Sequence, residues 1–277
     1  MAPHTDNESR EGMLLTKSCH AKDHIARRKT LKLATLEHYR KTEIEQISDT
    51  DEGVTFFDID ICSPVNVDKK WFNTLFQGIM RVGGDRYEAV PIPGQCETQI
   101  SNWSVDDRHP AYVVIERANI SIKRQAVNSL IFCMSQSRTP GDCIGIFPDY
   151  DDEWSIRAND IHRFLDQIAN AIKRRMCDNS KASIIAPEIN PVEVDVYFAH
   201  MSVLYADRNI IITKDHKTDI NNLVKHMTNA AFIKPISFEK EKEYRFSFIL
   251  THKGQTISTL SDTVIINIDD EFLKLIV

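Results

Sequence analysis

Residues 238–250 read FEKEKEYRFSFIL, and this stretch favours a β-strand that enters a protein core. Side chains alternate between the two faces of a strand. Four charged side chains are therefore predicted to share one face: Glu239, Glu241, Glu243 and Arg245. The aromatic residues and lysines between them occupy the other face. The apolar ending FSFIL indicates that the strand continues into a core and does not end in solvent.

The row of carboxylates on this strand has two interpretations. Three neighbouring carboxylates repel one another, and an exposed edge strand that carries a mixed ladder of charges is the plainer explanation. In the second interpretation one carboxylate, Glu241 or Glu243, projects into a cleft. There it could hydrogen-bond a ribose hydroxyl or orient a nucleophile.

Working outward from this stretch, strand and helix patterns alternate along the whole chain. Strands are predicted over 13–17, 31–36, 54–61, 87–92, 111–117, 129–135, 143–147, 192–199, 209–213 and 263–268. Helices are predicted over 22–29, 37–47, 68–80, 159–176 and 219–229. The order indicates an α+β fold with a central, split, mainly antiparallel sheet and flanking helices. We expect a flexible leader over residues 1–12 and one α+β domain over 13–277.

Composition limits the class of protein. A net charge of -6 over 277 residues argues against a uniformly basic surface that coats nucleic acid, although a local basic groove remains compatible with it. The six cysteines form no C-x-x-C pair and no zinc-type spacing, so reduced thiols and no structural metal are expected. The N-terminal residues lack the apolar stretch of a signal peptide, and no apolar run reaches membrane-spanning length. A cytoplasmic location is predicted.

A second cluster of interest lies in the stretch 36–53. Tyr39, Arg40 and Glu43 fall within one helical turn, where Arg40 and Glu43 could form a surface ion pair. Alternatively, Tyr39 offers a ring for stacking and Arg40 a fork for phosphate or carboxylate, which together suit a nucleotide. A metal site built on His20 and a neighbouring histidine is the weaker alternative, because their spacing also fits a polar helix face.

Several short motifs occur in a characteristic order. They are LKLATLEHYRKTE, DTDEG, SLIFCMS and F-x-K-P-x-x-FEKEKEYRF. This order, from about residue 14 to 250, resembles a broad group of bacterial proteins of unassigned function that are frequent in mobile and phage-defence loci. The layout of that group is in turn similar to ADP-ribosyltransferases.

The resemblance implies a set of site residues. ADP-ribosyltransferases have a polar residue on a first strand, a second strand that leads into an aromatic residue, and a late strand with a catalytic glutamate. Lys17 or His20 would take the first position, and Thr35 with Tyr39 the second, with Arg40 also near the cofactor. The catalytic carboxylate would be one of two residues, Glu241 and Glu243.

The resemblance also implies an activity. NAD would serve as the substrate and lose nicotinamide through an oxocarbenium-like transition state, which a glutamate stabilises. The acceptor would be a macromolecule, either nucleic acid or protein, and toxin-type use in phage defence would imply a neutralising partner protein. Two rival hypotheses are a non-catalytic interaction module and a magnesium-dependent nuclease.

Overall fold

A computed structural model describes residues 12–41, 52–90, 94–178, 181–207, 209–215 and 219–277. The predicted leader lies outside these residues except for Gly12. Contacts between Cα atoms divide the chain into two compact units. The first unit comprises Met1–Thr50, Asn128–Val203 and Glu239–Val277, and the second comprises Asp51–Val127 and Leu204–Phe238. The expectation of a single domain over 13–277 stays a prediction.

The described chain contains the following strands: β1 (Leu14–Cys19), β2 (Thr30–Thr35), β3 (Val54–Ile61), β4 (Val65–Asp68), β5 (Gln95–Asp106), β6 (Tyr112–Gln125), β7 (Leu130–Ser137), β8 (Asp152–Arg157), β9 (Val194–Ser202), β10 (Leu204–Ala206), β11 (Asn209–Ile212), β12 (Ile233–Pro235), β13 (Glu243–His252), β14 (Gln255–Ile257) and β15 (Thr263–Asn267). The helices are α1 (Ile25–Arg28), α2 (Leu36–Lys41), α3 (Lys69–Leu75), α4 (Ile161–Met176), α5 (Ile220–Met227) and α6 (Asp270–Leu273). Among the described helices, none is long and apolar enough to cross a bilayer.

The sheet of the first unit is antiparallel and forks at β7. One edge of β7 pairs with β13, from Leu130 to Ser135. The other edge pairs with two strands placed end to end, β2 at Leu130 and β1 near Ser137. β15 extends the β2 branch, β8 extends the β1 branch, and β9 covers the far edge of β13. This arrangement confirms the predicted α+β class with a split, mainly antiparallel sheet.

Helix α4 packs on one face of this sheet and closes the larger core. The helix buries Phe164, Ile168 and Ile172 on one side, as its 3.6-residue apolar period predicts. The Phe164 ring lies within 5.1 to 6.4 Å of four other aromatic rings, which belong to Phe132, Trp154, Phe246 and Phe272. This aromatic cluster fixes α4 against β7 and β13.

The second unit is built around the long strand β6. Strands β3 and β4 pair with one edge of β6 and β5 with the other, all antiparallel, while β11 adds to β3 in parallel. Helices α3 and α5 pack together in this unit. The stacked rings of Phe72 and Phe76, 4.2 Å apart, join Ile59 and Ile120 in its core. Strands β10 and β12 form a separate parallel pair.

Several predicted elements differ from the structure. The predicted strand 143–147 is wrong, because these residues form turns that bury only Cys143. The described part of the predicted strand 87–92 contains the end of a 3-10 turn and no strand. The predicted strand 238–250 begins too early, because Ile236–Glu241 is a 3-10 helix and β13 starts at Glu243. The predictions over 54–61 and 159–176 are confirmed as β3 and α4.

We expect Phe164→Ala to lower the free energy of unfolding by about 3–5 kcal/mol, because the surrounding rings cannot collapse fully into the space left behind. Chemical denaturation followed by circular dichroism measures this change. Arg163→Ala, at the next and exposed position, is the matched control and should cost less than about 0.5 kcal/mol. Equal effects of the two variants would contradict the packing described for α4.

Candidate active site

The face of the first sheet opposite α4 is polar and yet buried. A row of directly paired residues crosses four neighbouring strands, namely Glu243, Ser135, Thr16 and Ser155. All four are buried. Since adjacent strands lie about 4.8 Å apart, the Cα atoms of Glu243 and Thr16 are separated by roughly 10 Å. The row brings a carboxylate and three hydroxyl groups to one side of the sheet.

The hydroxyl groups on this face bond to one another. The Thr16 hydroxyl lies 2.7 Å from the Ser137 hydroxyl and 2.7 Å from the Ser155 hydroxyl. Between β13 and the start of β7, the Ser247 and Ser129 hydroxyls are 2.8 Å apart. Buried polar groups are costly unless they are hydrogen-bonded, so these contacts let the sheet bury a polar surface.

Glu243 forms a buried ion pair on the same face. The Arg245 Nε donates to Glu243 Oε1 over 2.6 Å. Glu243 is 5% exposed and Arg245 is 1% exposed. They are two positions apart on β13, so their side chains point the same way. The pair orients one carboxylate oxygen at the first residue of the strand.

Glu241 is held differently, although it is only two residues away. It ends the 3-10 helix Ile236–Glu241, and Lys242 follows with a φ of 47° in the left-handed region. The Lys242 amide donates to the Glu239 carbonyl, and its own carbonyl accepts from Gln136 of β7. This turn removes Glu239 and Glu241 from the strand, so the predicted row of three carboxylates on one strand face is wrong.

A loop after β7 closes one end of the polar face. The Gly141 amide donates to Glu153 Oε1 on β8, and the side chain of Cys143 in the same loop is buried. Asp142 accepts from the Thr139 hydroxyl and from the amides of Thr139 and Arg138, which together lower the pKa of its carboxyl to about 2. The Asp142 carboxylate therefore holds this loop in place at neutral pH.

The residues predicted for the first motif lie near the polar row but not on it. Lys17 pairs with Trp154, and its Nζ lies 5.4 Å from the centre of the Phe132 ring, on the face that carries the core. Because Thr16 and Lys17 are consecutive in a strand, Lys17 and Glu243 belong to opposite faces of the sheet. The His20 ring follows the strand and packs edge-on against Tyr150 at 5.2 Å.

The residues predicted for the second motif lie at the other end of β7. Thr35 is buried, and its hydroxyl accepts from the amide of His38 at the start of α2. Thr35 pairs with Leu130, whereas Glu243 pairs with Ser135. Five residues of strand separate these positions by about 17 Å.

Tyr39 and Arg40 follow Thr35 on α2, and both are half-buried. They stay with the Thr35 end of β7 because the amide of Leu36, at the start of α2, donates to the Ser129 carbonyl. The structure therefore places Lys17 and Glu243 on opposite faces of the sheet and does not bring Tyr39 and Arg40 to Glu243. Glu43, the predicted ion-pair partner of Arg40, lies outside the described residues.

The hydroxyl row was missed by sequence reasoning, although a signal for it exists. The stretch SLIFCMSQS separates Ser129, Ser135 and Ser137 by six and two residues, and residues an even number of positions apart share one face of a strand. In the described residues, no three His, Cys, Asp or Glu side chains come together as a metal site.

No protein-family model matches the chain, and comparisons with curated proteins and with solved structures also find no significant match. The family resemblance and the activity that it implies therefore stay predictions.

We expect Glu243→Gln and Arg245→Met to lower the free energy of unfolding by about 3 kcal/mol each, because each breaks a buried ion pair by removing one of its two charges. The double variant removes both charges and should recover most of that loss. A double-mutant cycle from urea unfolding measures the coupling. Additive losses in the double variant would show that the two side chains do not stabilise each other.

Cys19, at the end of β1, supplies a separate test of the first-motif region. Burial raises the pKa of its thiol to about 11, and the Asp152 carboxylate adds to this effect. Because the thiolate is the reactive form, alkylation at pH 8 should be about a hundredfold slower than that of an ordinary exposed thiol. Peptide mass spectrometry can compare Cys19 with the exposed Cys62 in one sample. Equal rates at the two positions would contradict the partial burial of Cys19 and the raised pKa of its thiol.

Proposed function

We propose that this chain is an ADP-ribosyltransferase-like effector that uses NAD as its substrate, with Glu243 as the catalytic carboxylate. The observation that supports the proposal is the position of Glu243. It is the first residue of a late strand in an antiparallel sheet, on a polar face, and Arg245 Nε holds its Oε1 at 2.6 Å. A late-strand glutamate is also what the motif order in the sequence predicts.

The proposed reaction breaks the bond between ribose C1″ and the nicotinamide nitrogen. Nicotinamide leaves with the bonding electrons, and a nucleophile of the acceptor then bonds to C1″ and releases a proton. Positive charge develops on the ribose in the transition state, where a preorganised carboxylate is most effective. Glu243 would hold the 2″-hydroxyl and stabilise this charge, and Arg245 would act as a positioning residue for Glu243.

The proposal assigns the two glutamates different roles. Glu243 shares the polar face with Ser135 and Thr16, whereas Glu241 belongs to the turn before β13. Glu241 is therefore the second candidate. The predicted contact of Thr35, Tyr39 and Arg40 with the NAD that Glu243 would bind gains no support, because these three residues lie near Leu130 at the other end of β7.

The acceptor and the biological setting belong to the same proposal. The acceptor would be a macromolecule, RNA, DNA or protein, in the cytoplasm, and use as a toxin in phage defence would require a neutralising partner protein. The described cysteines are free thiols, which agrees with a reducing compartment. The free cysteines therefore support the proposed compartment, but they do not bear on the proposed reaction.

A non-catalytic interaction module is the second candidate, and one observation favours it. Glu243 and Arg245 are almost completely buried and paired with each other, as in a structural ion pair. In that case the polar face stabilises the fold, and NAD has no role. The nuclease hypothesis has no comparable support, since the described carboxylates do not gather as a metal site.

The decisive experiment measures transfer of label from NAD, and release of nicotinamide, with pools of RNA, DNA and cell protein as acceptors. The Glu243→Gln/Arg245→Met double variant is the key comparison, because it removes the carboxylate together with the charge of its ion-pair partner. We expect it to stay folded and to lose activity by about a hundredfold or more. Glu241→Gln tests the second candidate for the catalytic carboxylate, and under the proposal it should retain activity.

Two outcomes would contradict the proposal. Equal turnover by the folded double variant would exclude Glu243 as the catalytic carboxylate. The absence of both transfer and nicotinamide release, from folded protein freed of any partner, would favour the interaction module.

A further inference from the structure

A cavity of about 270 Å³ opens in the second unit, where the chain passes from β10 to β11. These consecutive strands belong to different pairs, because β10 runs parallel to β12 whereas β11 runs parallel to β3. The start of α5 also contributes to the lining. The cavity therefore lies entirely within elements of the second unit.

The buried side of the cavity, its floor, is apolar. It is formed by Leu204, Ala206, Ile210 and Leu223. The first three are half-buried and pack against the core of the unit, and Leu223 of α5 belongs to that core. Apolar surface that a ligand removes from water contributes about 25 cal/mol per Å². The floor therefore favours a ligand with an apolar body.

The solvent side of the cavity, its rim, is polar and negatively charged. It is formed by Asp207, Asn209, Asp219 and Asn222, whose side chains are exposed. Two of these residues are carboxylates, and none of the described residues that line the cavity is basic. A cleft lined by charge of one sign concentrates ligands of the opposite charge. The rim therefore favours a cation.

The rim carboxylates have oxygen atoms to spare for a ligand. Asp219 caps α5, where its Oδ1 accepts from the amides of Asn221 and Asn222 at 3.0 and 3.2 Å. Within the described part of the chain, Asp219 Oδ2 and both carboxylate oxygens of Asp207 have no hydrogen-bond or ion-pair partner. These oxygens can accept charge-assisted hydrogen bonds from an ammonium group.

The floor and the rim together indicate the class of cation. A hydrated metal ion would leave the apolar floor uncovered, and the described His, Cys, Asp and Glu side chains form no group of three that could hold one. An organic ammonium ion supplies N–H donors for the rim and an apolar body for the floor. Since an apolar cavity of about 150 Å³ accommodates benzene, this larger cavity has room for a ring with a short ammonium arm.

We propose that this cavity binds a small organic amine in its ammonium form. The ammonium group donates hydrogen bonds to the rim carboxylates, Asp207 and Asp219, and the apolar body covers the floor. The site belongs to the second unit alone, so it is independent of the activity proposed for Glu243.

The test uses the full chain and benzylamine hydrochloride at neutral pH, where the amine is an ammonium ion. Isothermal titration calorimetry at constant ionic strength should show saturable binding with a Kd on the order of 1 mM, as expected for a ligand of this size. Benzyl alcohol has the same body without the charge, and methylammonium chloride has the charged head without the body. Each should bind at least about fivefold more weakly than benzylammonium.

Variants of the rim locate the binding. Asp207→Asn should weaken benzylammonium binding about threefold to fivefold, as for the loss of one exposed charge pair. Asp219→Asn should have the same effect and leave α5 intact, because asparagine caps a helix as well as aspartate does. The double variant should weaken binding about tenfold or more. Glu97→Gln is the matched control, because it removes an exposed carboxylate from β5 of the same unit, and it should leave binding unchanged.

Arg208 stands between Asp207 and Asn209 in the sequence but lies outside the described residues. The Arg208→Gln variant removes the basic residue that is nearest to Asp207 in the sequence. Because it leaves the rim carboxylates in place, it should bind benzylammonium at least as tightly as the parent. Weaker binding by this variant would contradict a site for cations.

Three other results would overturn the proposal. They are benzylammonium binding no stronger than that of methylammonium, binding that the double variant retains, and an equal loss of binding in Glu97→Gln. Calcium chloride tests the class of cation. Binding of Ca²⁺ but not of benzylammonium, lost in the double variant, would assign the rim to a divalent ion and reject the amine.

Discussion

Strand β7 imposes the main constraint on the first unit, because it is hydrogen-bonded on both edges and largely buried on both faces. Its two faces require different partners. Phe132 and Met134 enter the aromatic core, whereas Ser135 and Ser137 turn to the other side. Each strand aligned with Ser135 must then place a polar group beside it, and Thr16 and Glu243 do so. The polar face thus follows from the register of one strand.

Elements with a complete local signal are predictable from the sequence. VTFFDIDI alternates along its second half and forms β3 as predicted, and α4 carries an apolar stripe over its whole length. Elements stabilised by distant pairing are not predictable in this way. β8 has the acidic sequence DEWSIR, which resembles a loop, but all six residues pair with β1. β5 is mostly polar, and no strand is predicted over its residues because its apolar alternation is weak.

The residues of the candidate site also differ in whether a local sequence pattern predicts their position. Glu243 and Arg245 are predicted on one face, and they lie there, because both belong to the part of the stretch that is a strand. Glu241 is predicted beside them by an alternation that continues through FEKEKE, but the left-handed Lys242 interrupts the strand. Local periodicity cannot reveal such a turn. It also cannot reveal that Tyr39 lies at the far end of β7, since this depends on the register between β2 and β7.

Among the described residues, two arginines are buried, one in each unit, and they differ in how their charge is balanced. Arg245 and Arg124 are equally inaccessible, at 1% exposure each. Arg245 is neutralised by Glu243, which is on its own strand, so the first unit supplies the counter-charge itself. Arg124 sits between a threonine and a cysteine, neither of which carries a balancing negative charge at neutral pH. Because burying a charge is costly unless it is paired, the ion pair with Glu243 reduces a cost at Arg245 that the described residues leave in place at Arg124.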